Sequence, residues 1–458
     1  MKIALIPIDN RPVCYTLPME IAKIDNNLEL FMPERKLLGG LTSMADVEGI
    51  LDWLDGLEEV DAIVVSLDTI AYGGLVSSRR YKNSPDEIRQ RLEKLKEKLN
   101  GKVYAFSSIM RISNNNVNEE EKEYWSEYGK KIFEYSYNFH MLGDDTTDIP
   151  QEILHDYLAT RQRNFSVNKM YLEWVEQGLF ETLVFSKDDC AEYGLNVLEA
   201  QILNRIISEK KLKALVKTGA DEIPLTLFAR AVCDFKEKAH KISPRFLAPE
   251  SVELLSNYED ISIEQSVHAQ IELAGCQSVE EEHCEIVLLV NNFEEKQGEI
   301  VMGGKTKPFS GKIDFPKKPF MAADVRLANG ADNKFAEKIL KKLEKIGGGI
   351  DFYGYSAWNT SANTLGSLIC AAVVKFFATD YNEEAFKHLQ MVRFLDDWAY
   401  QANVRQLLKA ISKRPDAKKL KTFMAPFEKR LDKILGVKSK IKYRFPWKRF
   451  FEVEVGID

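Results

Sequence analysis

Short apolar runs, each ending in a cluster of polar residues, recur from Met1 to Phe377 with helical stretches between them. Lys2–Ile8, Leu28–Met32, Ala62–Leu67, Lys102–Phe106, Thr182–Phe185 and Ala214–Lys217 read as strands. So do Arg245–Ala248, Glu285–Val290, Phe320–Ala328 and Ile350–Tyr355. Runs this apolar suit strands covered on both faces, and helices between them make the sheet parallel. The expected class is α/β. Because a polar cluster follows nearly every strand, a (β/α)8-like barrel with a helical C-terminal extension is the favoured form. Residues 1–377 are the expected barrel-like catalytic domain. Residues 378–458 are expected to be mainly helical, with a terminal strand at Phe450–Val455. Two smaller doubly wound domains also fit, and a chain of 458 residues is long enough for either.

Between the strands, Ser84 and Pro85 read as the cap and first residue of a charged helix reaching Leu99. Glu119–Gly178 is helical with a break at Gly143–Pro150, and Leu365–Phe377 is a buried helix. Asn333–Ile346 is a helix closed by Gly347–Gly349, and Ser256–Ala274 is only weakly periodic. Glu383–Leu435 is helical and expected to break at Pro415 and Pro426.

Net charge is −7 with both signs interspersed, and no basic arm or aromatic–basic alternation tracks a nucleic acid. The Lys-rich stretch Lys418–Lys442 reads as the solvated face of helices. No run approaches the roughly 18 apolar residues of a membrane span, and MKIALIPIDNRP is too short and too broken to be an export signal. The six cysteines form no CxxC pair, so reduced thiols in a cytoplasm are the expectation. The six histidines make no HxH or HExxH. No cofactor is called for: GxGxxG, P-loop and GxSxG patterns are all absent. An all-oxygen Mg²⁺ or Ca²⁺ site built from carboxylates stays open.

The sharpest candidate is Glu181–Asn196, where the apolar run Thr182–Phe185 leads into Lys187, Asp188 and Asp189. Adjacent carboxylates at a strand end repel, which separates their pKa values as acid/base chemistry at neutral pH requires. The plainer reading is that one of them caps the next helix. Further strand-end candidates are Asp9, Arg11, Asp68, Arg111, Asp221, Glu222, Asp324, Asn329, Tyr355, Trp358, Asn359 and Asn363. Carboxylates, amides and an aromatic face together suit a polyhydroxylated ligand. Arg11 and Arg111 either neutralise these acids or grip an anionic substrate. Asp221, Asp332 and Asn363 each precede a helix and are the first to be read as structural.

Several segments resemble a bacterial family catalogued as a domain of unknown function (DUF4127). They are Ile6–Pro18, Ser66–Arg79, Phe185–Asn196, Thr218–Glu222, Leu327–Asp332 and Tyr355–Gly366. That resemblance brings no activity. The order VYAFSS, LVFSKDD, TGADE and WNTSAN is also similar to the barrel of substrate-assisted β-N-acetylhexosaminidases. This second resemblance implies that Asp188 orients an acetamido group and Asp189 is the general acid/base. It also implies that Asp324, Asn329 and Asn359 hold the sugar over Trp358 or Tyr355. Neighbours on a strand point to opposite faces, so the aspartates share a site only if the strand has ended by Lys187.

The expected function is thus a glycoside hydrolase-like enzyme on a small amino-sugar glycoside, with a small-molecule carbohydrate as partner and homo-oligomerisation left open. One alternative is a metal-dependent hydrolase or lyase on a phosphorylated or acidic substrate. The other is a non-catalytic sugar-binding protein.

Overall fold

A computed structural model describes residues 1–346, 351–437 and 440–457. The chain folds as two compact units. The first comprises Met1–Asn10, Leu30–Pro224 and Tyr258–Asp260; the second comprises Arg11–Glu29, Leu225–Asn257 and Ile261–Asp458.

Six strands build the sheet of the first unit: β1 (Lys2–Ile6), β2 (Glu29–Phe31), β3 (Ala62–Ser66), β4 (Lys102–Ile109), β5 (Thr182–Lys187) and β6 (Ala214–Thr218). Their order is β2-β1-β3-β4-β5-β6, and every pair from β1 to β6 is parallel. The central strands are buried along almost their whole length, which explains the unbroken apolar runs. Ser84 caps the helix Pro85–Lys98 with a full capping box, as its sequence predicts. The helices Trp125–Leu142 and Gln151–Glu176 flank the expected break, with Gly143 ending the first in a left-handed conformation.

The second unit has its own parallel sheet. Its strands are β7 (Lys241–Phe246), β8 (Gln277–Ser278), β9 (Ile286–Asn291), β11 (Phe320–Asp324) and β13 (Phe352–Ser356). The short pair β10 (Gly298–Glu299) and β12 (Leu327–Ala328) lies beside it in sequence. The sheet order is β13-β11-β9-β7-β8. Counted along the chain from β7, that is 2-1-3-4-5, the order with which the first sheet begins. The buried helix Ser361–Phe377 packs on β11 and β13. A hairpin of β14 (Ile441–Arg444) and β15 (Glu454–Ile457) closes the chain.

No described sheet holds eight strands, so the α/β class stands while a closed barrel is not shown. The reason is physical. Polar loops collect at one edge of any all-parallel sheet, open or closed, so the pattern that favoured a barrel is shared by doubly wound sheets. Three local expectations shift. Ile263–Leu273, in the weakly periodic stretch, is a regular helix opened by a Ser262 capping box. Pro415 falls in a break, but Pro426 sits inside the helix Ala417–Leu435 without ending it. Phe394–Val404 is wound as a π-helix, where an ordinary helix was expected. The expected closure at Gly347–Gly349 and the start of the last core strand at Ile350 lie outside the described residues.

Candidate active site

In the first sheet the strand order reverses between β1 and β3, and ligands of open α/β sheets bind at the carboxyl edge there. Thr69 Oγ1 donates to Pro7 O at 2.6 Å and ties the two loops at this switch. Gly39 is required by close approach: a Cβ there would lie 2.2 Å from Gly73 O. The glycine pairs thus let backbone meet backbone. Asp9 is buried after β1, and its carboxylate lies within 4.8 Å of that of Asp221, in the loop after β6. Glu222, fully buried, accepts from Ala220 N at 3.0 Å and so shapes its own loop.

Asp68 follows β3 and is almost fully buried. It accepts from Ser108 N at 2.7 Å and lies 3.0 Å from Ser107 Oγ. Burial pushes its carboxyl up to about 6 against those hydrogen bonds. Ser107 Oγ is also 2.7 Å from Asn168 Oδ1, so one hydroxyl proton faces two acceptors. Asp68 is thus a buried support that ties the loop after β3 to β4 through Ser107 and Ser108.

The register of β4 and β5 pairs Ile109 with Lys187, which sets Arg111 beside Asp189, each two residues further on. β5 ends at Lys187, so the condition for Asp188 and Asp189 to share a site is met. Arg111 Nη1 lies 3.3 Å from Asp189 Oδ2 and 3.7 Å from Asp188 Oδ2. Glu120 and Glu121 bridge Arg111 to Arg79, each contact at 3.0 Å. Arg79 Nη1 also reaches Asp188 Oδ2 at 3.5 Å, and Asp188 Oδ1 accepts from Asp189 N at 2.9 Å. Asp188 thus orders its own turn, but neither aspartate caps the next helix, Leu195–Lys210, whose N-cap is Gly194 with no side-chain cap. Side-chain exposure grades outward from 1% at Arg79 and 13% at Asp188 to 30% at Asp189. Burial first, then the neighbouring Asp188, pushes the Asp189 carboxyl up to about 7, with Arg111 opposing. Ser113 Oγ stands 3.5 Å from the same carboxylate.

Beside this cluster, Lys187 pairs with Asp260, which also accepts from Thr218 Oγ1 at 2.8 Å and from Cys190 Sγ at 3.5 Å. Lys217 is buried, and desolvation lowers its pKa.

The remaining candidates belong to the second unit. Arg11 stacks over Trp447 at 5.1 Å. Asp324 is a buried hub that accepts from Asn291 Nδ2, Asp332 N and Tyr355 Oη. Burial, then Asp332, holds its carboxyl well above the usual range. Tyr355 is buried with a ring face stacked on Phe394 at 4.5 Å, which leaves it poorly placed as a sugar platform. Asp332 caps the helix Asn333–Ile346 by accepting from Lys334 N, the structural role expected of it. Asn363 is buried in the first turn of its helix, which Thr360 caps. Asn329, Trp358 and Asn359 do come together, lining one cleft.

Sequence reasoning missed Arg79, Glu120, Glu121 and Asp260 in the first unit. Glu119–Glu121 looks like a solvated charge run, and nothing local marks it as folding back on two arginines. It also passed over Asp396, Asp397, Gln401 and Glu452, although Asp396-Asp397 repeats the paired-acid signal of Asp188-Asp189.

Among the described residues no helix is long and apolar enough to cross a membrane. No curated protein and no solved structure matches the chain. The chain belongs to a family described as protein of unknown function (DUF4127), whose model matches residues 3–456.

Proposed function

We propose, starting from a family that brings no activity with it, that the protein is a glycoside hydrolase-like enzyme on a small amino-sugar or related glycoside. Asp189 is the general acid and Asp188 its fixed partner. One observation carries this reading: the two carboxylates stand side by side past a strand end on one arginine nitrogen, and the more open one is pushed up to about 7. An acid still protonated near neutrality beside a second carboxylate is the pattern glycosidases use. Such a pair needs a strand end and two loops, which an open sheet supplies as well as a barrel does. The carboxylates here already face two guanidinium groups, so the metal-dependent alternative finds less support at this cluster. A cytoplasmic location agrees with six cysteines that are all free.

The test is hydrolysis of a chromogenic glycoside panel, led by the N-acetyl-β-glucosaminide, by the native protein and Asp189→Asn, with and without chelator. The expected result is chelator-insensitive turnover that drops about 10²–10⁴-fold in the variant. Turnover should also fall as pH rises through 7, where the acid loses its proton. No turnover on any glycoside, with a thermal shift on adding Mg²⁺ or Mn²⁺, would move the assignment to a metal-dependent enzyme. Ligand binding without turnover would make this a sugar-binding protein.

A further inference from the structure

The second unit shows water three large apolar side chains that its core does not use. Met302 is 73% exposed, Leu407 53% and Ile411 55%. Single exposed apolar residues need no explanation, but these three belong to one face. Leu407 and Ile411 stand four residues apart in the helix Arg405–Ile411, which puts them side by side. Gln406, just before Leu407, donates from Nε2 to Ile300 O at 3.0 Å. That bond fastens the turn carrying Met302 to the helix carrying the other two.

The exposure of Met302 is built into the turn. Glu299 N donates to Gly304 O at 2.8 Å and closes it, with Gly303 left-handed at φ 75°. The Glu299 carboxylate folds inward and accepts from Met302 N, from Val301 N at 3.0 Å and from Asn329 Nδ2 at 2.6 Å. Bonds to both inner amides hold the turn in shape with the methionine at its tip.

The sequence around this face reverses the charge of the chain. The protein carries a net −7, yet residues 300–313 include Lys305, Lys307 and Lys312 and no acid. Residues 405–415 include Lys409, Lys413 and Arg414 beside the buried Arg405, again with no acid. The nearest carboxylates are spent: that of Glu299 points into its own turn, and that of Asp416 accepts from Lys418 N and Lys419 N. Lys305, Lys409, Lys413 and Arg414 are exposed and have no carboxylate partner among the described residues.

Apolar points set among unpaired cations suit a soft anionic surface, where the points enter the headgroup layer and the cations meet phosphates. Protein interfaces are depleted of lysine, so the surplus of lysines favours lipid over a protein partner. We propose that this face of the second unit docks on an anionic phospholipid bilayer. Met302, Leu407 and Ile411 enter the headgroup layer, and Lys305, Lys409, Lys413 and Arg414 lie against its phosphates. The contact is peripheral, is complete within the second unit and stands independently of hydrolysis at Asp189.

Co-sedimentation of the full chain with vesicles tests this, comparing phosphatidylcholine alone with phosphatidylcholine and phosphatidylglycerol in equal parts. The native protein is expected to partition about tenfold or more in favour of the anionic vesicles and to lose that preference at high salt. The triple variant Met302→Ser, Leu407→Ser, Ile411→Ser should bind them about tenfold or more weakly. So should the double variant Lys409→Gln, Lys413→Gln, which keeps the apolar points and changes only exposed positions, again by about tenfold or more. Leu142→Ser is the control: that leucine, in the first unit, is 67% exposed but is followed by Asp144 and Asp145. Its variant should bind within about twofold of the native protein. No preference for anionic vesicles, or binding unchanged in either patch variant, overturns the proposal. So does retention on polyglutamate beads in place of vesicles, which would assign the face to an acidic protein. A dimer in solution that the triple variant splits would assign it to a second copy and overturn the proposal as well.

Discussion

The two sheets begin with the same strand order, yet they treat the acids at their carboxyl edges differently. In the first unit four carboxylates gather around Arg79 and Arg111, and the outermost keeps 30% of its side chain open. In the second, Asp324 is fully buried and fully occupied by Asn291, Asp332 and Tyr355. Asp397, equally buried, accepts from Ala357 N at 2.7 Å and holds the turn that follows β13. Burial raises the carboxyl in both regions. What differs is access: a raised acid sealed from solvent is a structural joint, and one with an open oxygen can exchange a proton with a substrate. The switch points differ in the same manner. The first is tied by one bond from Thr69, whereas Asn292 in the second both accepts from Ala248 N at 2.9 Å and donates to Ala248 O at 2.8 Å.

The strongest way to break this comparison is Arg79→Met. It leaves Glu120, Glu121 and Asp188 facing one another with one guanidinium fewer, and should cost about 3–5 kcal/mol in denaturant unfolding. A cost below about 1 kcal/mol would mean that the cluster is loose and solvated. Asn292→Ala comes next, at roughly 2 kcal/mol, because Ala248 N loses its partner in a buried place while Ala248 O keeps its bond from Ser251 N. Thr69→Val should cost only about 1 kcal/mol, since a single bond to Pro7 O is lost. The reverse ranking would show the first switch point to be the tighter one.

The smallest effect is a pH slope. Burial pushes Asp397 up to about 7 against Arg393. The folded state therefore holds a proton that the unfolded chain has released, from the ordinary carboxylate range up to about 7. Stability falls as pH rises through that window. Asp397→Asn should flatten the fall in melting temperature between pH 4 and 7. Asp189→Asn, at a more open site, should flatten it less. Equal flattening would erase the distinction between joint and working acid.

The sequence made the buried strands and their polar ends legible because apolar runs need no partner to be recognised. Thr182–Phe185 and Glu285–Val290 are both core strands, one in each sheet. Sheet closure was not legible, since strand order depends on which helices cross which face. Asp188 and Asp189 were legible as a pair at a strand end. Their setting was not: Arg79 reaches Asp188 from 109 residues away along the chain, and Glu120 joins Arg79 to Arg111. Trp358 and Asn359 were visible from their motif, but the π-helix that brings Gln401 to them carries an ordinary helical pattern.

The path of the chain bears on how the protein is made. The first unit is finished only by Tyr258–Asp260, after β7 of the second unit has already been synthesised. A nascent chain that has emerged as far as Pro224 owns all six strands of its first sheet, but Lys187, Thr218 and Cys190 still wait for Asp260. The first unit is therefore completed only after part of the second has been synthesised, and neither unit is encoded as one continuous stretch.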